Sequence, residues 1–136
     1  MLVYNKIRTV PSNKNIISFF EDLFIEFKDT LNLRNDLYFN LMVAVTEGIN
    51  NASGHGNKFD PNKNVTVELA ANSSLIFCKI KDEGDGFNPK EVADPRDPEN
   101  LLKDNGRGVF LMRELAKEFK VSNTENGTLV ELTFEY

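Results

Sequence analysis

The 136-residue sequence has no tryptophan, one cysteine and one histidine, and each scarcity removes a class of explanation. A single thiol cannot close an intrachain disulfide. Cys78 also lies in the apolar run Leu75, Ile76, Phe77, Cys78, where a buried, inert side chain is the expectation rather than a nucleophile. No stretch approaches the roughly eighteen apolar residues of a membrane span, and Met1 to Lys6 lacks the layout of a secretory signal. A reducing, cytoplasmic setting without membrane contact is therefore expected. Basic residues are in deficit as well: 16 Lys plus Arg stand against 21 Asp plus Glu, for a net charge of -5. Such a field repels polyanions, so nucleic acid is not expected as a direct partner. Any nucleotide site must then rely on local backbone donors and a metal ion instead of overall charge.

Apolar material is plentiful: 40% of the residues are hydrophobic and 11 are Phe. That suffices for one continuous core in a chain of single-domain size, so residues 1–136 read as one domain. Residues 2–10 alternate loosely toward Pro11, a first strand. Ser12 and Asn13 offer N-cap oxygens for a helix reaching about Thr30, with Ile16, Phe19, Phe20, Leu23, Phe24 and Phe27 at helical spacing. A longer helix begins near Leu33 to Asp36, carries Leu37, Leu41, Val45 and Ile49, and ends in Gly54, His55, Gly56. Val65, Val67 and Leu69 mark a half-buried strand, Asn72 to Ser74 a hairpin turn, and Leu75 to Lys81 its partner. Asp82 to Asn105 is charged and aperiodic, a long loop of the kind that is usually functional. A helix from about Gly108 to Glu118 and two strands, Phe119 to Asn123 and Thr128 to Tyr136, complete the chain. The order predicts a two-layer α/β (α+β) sandwich: one mixed, mostly antiparallel sheet with helices on one face.

Three constellations carry chemistry. Glu47 and Asn51 are four apart, so both leave one helix face a turn apart, among the small or polar Gly48, Asn50, Ala52, Ser53 and Gly54. An amide oxygen at Asn51 suits Mg²⁺ carrying phosphate oxygens, and a carboxylate at Glu47 suits a water or a hydroxyl proton. The same spacing also describes a solvated helix end closed by glycine. Asp82, Gly84 and Gly86 leave a strand where a flat ligand can approach the backbone. A carboxylate there accepts from adenine N6 and faces an acceptor, O6, in guanine, which favours ATP over GTP; an acidic loop-opening turn has the same letters. Asn105, Gly106, Arg107 and Gly108 open the last helix, whose N–H groups and positive end attract phosphate, with Arg107 as a fork donor. Ordinary loop-to-helix punctuation reads the same way.

In chain order, Glu47 to Gly56, Asp82 to Gly86, and Pro98 through Gly106, Arg107, Gly108, Val109 to Arg113 resemble the N, G1 and G2 boxes of the anti-sigma-factor serine/threonine kinases. These belong to the superfamily that holds gyrase and histidine-kinase ATPase domains and shares the Bergerat ATP-binding fold. The likeness implies ATP and Mg as cofactors, Asn51 as the Mg²⁺ ligand, Glu47 as catalytic base and Asp82 as adenine reader. It also implies nucleotide contacts at Gly84, Gly86, Gly106, Arg107, Gly108, Val109 and Thr128, and a lid at about 85–105. His55 matches the family's position, where a phosphate contact and a helix-terminal structural role both remain open. No phosphoacceptor-His helix and no transducer domain, as in histidine kinases and gyrases, is expected here. The resemblance implies a kinase that phosphorylates a separate STAS-type anti-sigma-factor antagonist, with a sigma factor or response regulator as the other partner, and a homodimer. The alternative is a nucleotide-dependent protein-binding module without phosphoryl transfer.

Overall fold

Alternating β-branched and polar residues build five strands: β1 (Tyr4–Pro11), β2 (Asn64–Ala71), β3 (Leu75–Lys81), β4 (Glu118–Thr124) and β5 (Gly127–Glu135). The computed structural model describes residues 1–85 and 104–136, with side chains in the second stretch from Gly108 onward. The strands form one sheet in the order β1-β2-β3-β5-β4, and every pairing is antiparallel. A mixed sheet was expected. β3 and β4 do run in the same direction, but β5 inserts between them and pairs antiparallel with each, which removes the parallel pair a β3–helix–β4 crossover would otherwise form.

Three helices, α1 (Glu21–Leu31), α2 (Asn35–Asn51) and α3 (Asp104–Leu115), cover one face. Period-two burial in the strands sends Val65, Val67 and Leu69 of β2 and Ile76, Cys78 and Ile80 of β3 toward the helices. Helical spacing sends Leu23, Phe24 and Phe27 of α1 and Leu41, Val45 and Ile49 of α2 back at them. Leu132 and Phe134 of β5 and Met112 of α3 close this core. Among the described residues no helix is long and apolar enough to cross a membrane.

Several boundaries differ from expectation. The helix foreseen from Ser12 does not start there. Ser12 is buried and donates its hydroxyl to Lys63 O at 2.7 Å, while Asn13 Oδ1 accepts from Asn15 N in a tight turn. A single 3₁₀ turn, Ile16–Phe19, follows, and α1 begins at Glu21 without a side-chain cap. Glu21 and Asp22 in its first turn face the positive end of the helix dipole instead. α3 starts at Asp104, four residues before Gly108, and stops at Leu115, because Lys117 N already donates to Thr133 O as β4 opens. The expected lid at about 85–105, and Gly86 within it, lies outside the described residues apart from its ends.

Candidate functional site

The C-terminal end of α2 is where helix, sheet and α3 meet. Glu47 and Asn51 are both half-buried there on one helical face. Between them Gly48 lies against β3 and α3: a Cβ would overlap Ile80 Cδ1 and sit 3.3 Å from Met112 Sδ. From the other side α3 brings its backbone onto the polar pair, since a Cβ at Gly108 would stand 2.9 Å from both Asn51 Nδ2 and Glu47 Oε2. Gly108 thus permits close approach in the second turn of α3 rather than marking its start. After Asn51 the helix widens into a π turn, Ala52–Gly56, closed by Asn57 N donating to Ala52 O at 2.9 Å.

Asp82 follows β3 directly and is 6% exposed. Its N–H donates to Thr128 O at 3.0 Å, and its Oδ1 accepts from Gly84 N at 3.0 Å and Thr128 N at 3.1 Å. Burial pushes this carboxyl above its ordinary range, with the two N–H donors and the charge of Lys63 opposing the shift. Both donors reach Oδ1, and Oδ2 is on the Gly56 side: a Cβ at Gly56 would overlap it. Gly84 is equally close, since its own Cβ would overlap Gly56 O. The Asp82 to Gly84 turn therefore closes backbone to backbone on the extension of α2.

The expected residues fall into two groups around that junction. Glu47, Asn51 and Gly108 come together at the α2–α3 contact, and Asp82, Gly84 and Thr128 at the β3–β5 end. Val109 is half-buried and packs on the core beside them. His55 is exposed on the π turn that joins the two groups. Gly106 and Arg107 belong to the first turn of α3, where backbone N–H groups have no intrahelical acceptor; the Arg107 side chain lies outside the description, as does Gly86. Sequence reasoning gave no individual role to Asn57, Ser53 or Glu83. Asn57 is 1% exposed and bonds Ser12, Asn64 and Glu83. Ser53 exchanges hydrogen bonds with the Asn13 backbone, and Glu83 accepts from Asn64 N. The only signal was a polar residue after Gly56, which does not distinguish a buried amide from a solvated one.

The donor set fits a small, hard cation. Asn51 carries an amide oxygen, and among the described residues no three His, Cys, Asp or Glu side chains converge into a protein-only cage. Magnesium takes one or two protein oxygens together with phosphate oxygens, so this sparse set suits it.

Comparison with known proteins agrees with the geometry. Residues 19–134 match the family described as Histidine kinase-like ATPase domain. Over 99 residues, 68% of this chain, the sequence is 30% identical to Serine-protein kinase RsbW of Bacillus subtilis, covering 61% of that protein. It is 31% identical to Anti-sigma F factor of Bacillus cytotoxicus over 98 residues, covering 68% of this chain and 66% of the relative. A Geobacillus Anti-sigma F factor is 33% identical over 97 residues, with 68% and 65% covered. The matched region spans a little under two thirds of each relative. A five-stranded antiparallel sheet with helices on one face and three glycine-bearing segments meeting at the end of α2 are thus accompanied by a family match over most of the chain, and the protein belongs to the histidine kinase-like ATPase family.

Proposed function

We propose that the chain binds Mg-ATP at the end of α2 and transfers the γ-phosphoryl group to a Ser or Thr hydroxyl of a separate regulatory protein, as an anti-sigma kinase. The observation that carries this reading is the convergence of Glu47, Asn51 and Gly108 beside an Asp82 whose Oδ1 is engaged by the backbone and whose Oδ2 faces Gly56. Asp82 Oδ2 accepts from the exocyclic amine of adenine. Asn51 offers its amide oxygen to magnesium, which supplies charge neutralisation at the phosphate oxygens when bound. The first-turn N–H groups of α3 provide donors for phosphate, and Gly108, lacking a Cβ, leaves room for it beside Asn51 and Glu47. Glu47 accepts the proton of the attacking hydroxyl; the hydroxyl oxygen bonds to phosphorus, the bond to the bridging oxygen breaks, and ADP leaves. Positioning and charge neutralisation carry most of the catalysis in such a transfer.

The names of the relatives, a serine-protein kinase and anti-sigma factors, support this assignment of reaction and partner class. The substrate in this reading is a STAS-type antagonist and the alternative partner a sigma factor or response regulator, exchanged because an added phosphate repels the antagonist from its interface. Incubation with radiolabelled ATP, magnesium and a STAS protein tests it. Label on the antagonist that disappears in Glu47→Gln, with nucleotide affinity retained, is the expected outcome. Tight complex formation without label, or full regulation by Glu47→Gln, favours a binding module and ends the kinase reading.

A further inference from the structure

Asn57, given no role by the sequence, bonds to four separate parts of the chain. It is 1% exposed, and a side-chain amide there has two donor protons and one acceptor oxygen to satisfy. All three are used. Nδ2 donates to Ser12 Oγ at 2.7 Å and to Asn64 O at 2.9 Å, and Oδ1 accepts from Glu83 N at 2.8 Å. The orientation is dictated by the partners, because a backbone N–H only donates and a backbone carbonyl only accepts; a flipped amide would lose both backbone bonds. Its main chain is equally tied, with N donating to Ala52 O and O accepting from Asp60 N at 3.0 Å.

The two ends of this amide do different things. Through Nδ2 it joins the end of β1 to the start of β2, an edge already held by Ser12 donating to Lys63 O. Through Oδ1 it grips the residue between Asp82 and Gly84. Gly84 N bonds Asp82 Oδ1, and the Gly84 backbone abuts Gly56, the residue before Asn57. A shift at Glu83 is thus transmitted in both directions to the Asp82 carboxylate. A hydrogen bond to a base amine tolerates only a few tenths of an ångström in length before weakening, and recognition groups need support from a layer of neighbours that fixes them.

We propose that Asn57 is the positioning residue for base recognition: by accepting from Glu83 N it holds the Asp82–Gly84 turn where Asp82 Oδ2 meets an adenine amine. The inference rests on the ATP reading of the site. A purely structural role would change stability and leave base discrimination alone, so discrimination is the readout. Inosine triphosphate (ITP) carries O6 where ATP carries the amine and is otherwise close in shape. Dissociation constants for ATP and ITP with magnesium, measured by calorimetry well below each variant's melting point, give the ratio. The wild type is expected to prefer ATP by roughly one to two decades. Asn57→Ala is expected to lose about tenfold of that preference, through weaker ATP binding, with ITP within about threefold. Ser12→Ala, which leaves the Oδ1 to Glu83 bond in place, is expected to melt earlier with the ratio unchanged. A folded Asn57→Ala that keeps the wild-type ratio, or loses both nucleotides equally, overturns the proposal. Where Asn57→Ala fails to fold, Asn57→Asp decides, because it retains the acceptor for Glu83 N: a preserved ratio supports the role and a lost ratio in a cooperatively melting protein refutes it. A wild type that binds both nucleotides equally sinks the adenine reading and this proposal together, whereas wild-type preference with an unmoved Asn57→Ala ratio sinks this proposal alone.

Discussion

Replacing Asp82 by Asn separates the two duties of one carboxylate. Oδ1 receives N–H groups from Gly84 and Thr128 at 3.0 and 3.1 Å, so the carbonyl of an introduced amide must stay there and its NH₂ must take the Oδ2 position beside Gly56. An acceptor becomes a donor at the spot where, in the proposed ATP site, adenine presents a donor. Leaving that amine unpaired costs about 1–3 kcal/mol, or one to two decades in ATP affinity. Inosine O6 at the same place gains a donor worth about 0.5–1.5 kcal/mol, roughly two- to tenfold tighter binding. The base preference should therefore reverse. Stability should move the other way. Burial raises the folded-state pKa of Asp82 above the ordinary value of 3.8, so the folded chain holds its proton more tightly than the unfolded chain. The resulting penalty is absent below the ordinary value, grows as pH rises through the folded-state pKa, and is constant above it. Asp82→Asn removes that penalty, and the apo variant should be more stable than wild type at pH 7, with the difference shrinking as pH falls toward 4. Urea melts across that range and nucleotide titrations at pH 7 measure both halves. Equal loss of ATP and ITP, or a stability gain that grows on acidification, refutes the reasoning.

Two further outcomes test the packing that supports the site. Gly48→Ala gains up to about 1 kcal/mol of helix propensity, but its Cβ overlaps the buried Ile80 Cδ1 and crowds Met112; overpacking costs about 1–3 kcal/mol. The net should be about 1 kcal/mol of destabilisation, a Tm lower by about 4 °C in thermal melts, and a raised Tm would show that α2 has slack against β3. Cys78 is fully buried, and burial, then the charge of Glu68, pushes its thiol up. It should resist a maleimide at pH 8 in the native state and react as the chain unfolds in urea; rapid stoichiometric labelling without denaturant would contradict the core described above.

Patterns that repeat within one element were legible. The spacing of Leu37, Leu41, Val45 and Ile49 located α2 and its buried face, and the alternation of Val65, Val67 and Leu69 located β2. What depends on partners far along the chain was not. Ser12 has the composition of a helix cap and instead plugs a strand end, because its acceptor, Lys63 O, is 51 residues away. The insertion of β5 between β3 and β4 leaves no local trace either, since both strands read as half-buried whichever neighbour they take. Glu47, Asn51, Asp82, Gly84 and Gly108 were named from type and spacing, and the structure gathers them in two groups around the end of α2. The bonds that tie them together run through main-chain groups, as between Asp82 and Thr128, and every residue has those. Asn57 was missed for the same reason: its partners at Ser12 and Glu83 lie 45 and 26 residues away.

Asp82 and Asn57 make opposite arrangements of the same resource, and the contrast bears on how the site tolerates change. Asp82 has two oxygens and divides its work between them, one held by backbone donors and one turned toward Gly56. A change of chemistry at Oδ2 can therefore alter what is recognised while the fold keeps its bonds. Asn57 has a single acceptor, already committed to Glu83 N, and no spare atom. A change there cannot exchange one preference for another; it can only loosen the turn on which any preference depends. The two substitutions should accordingly differ in kind: reversal of the ATP to ITP ratio at Asp82, and its collapse toward unity at Asn57. A turn that keeps its shape without the Asn57 bond, held by Gly84 against Gly56 and by Thr128 alone, would give no collapse and would place the whole of the discrimination in Asp82.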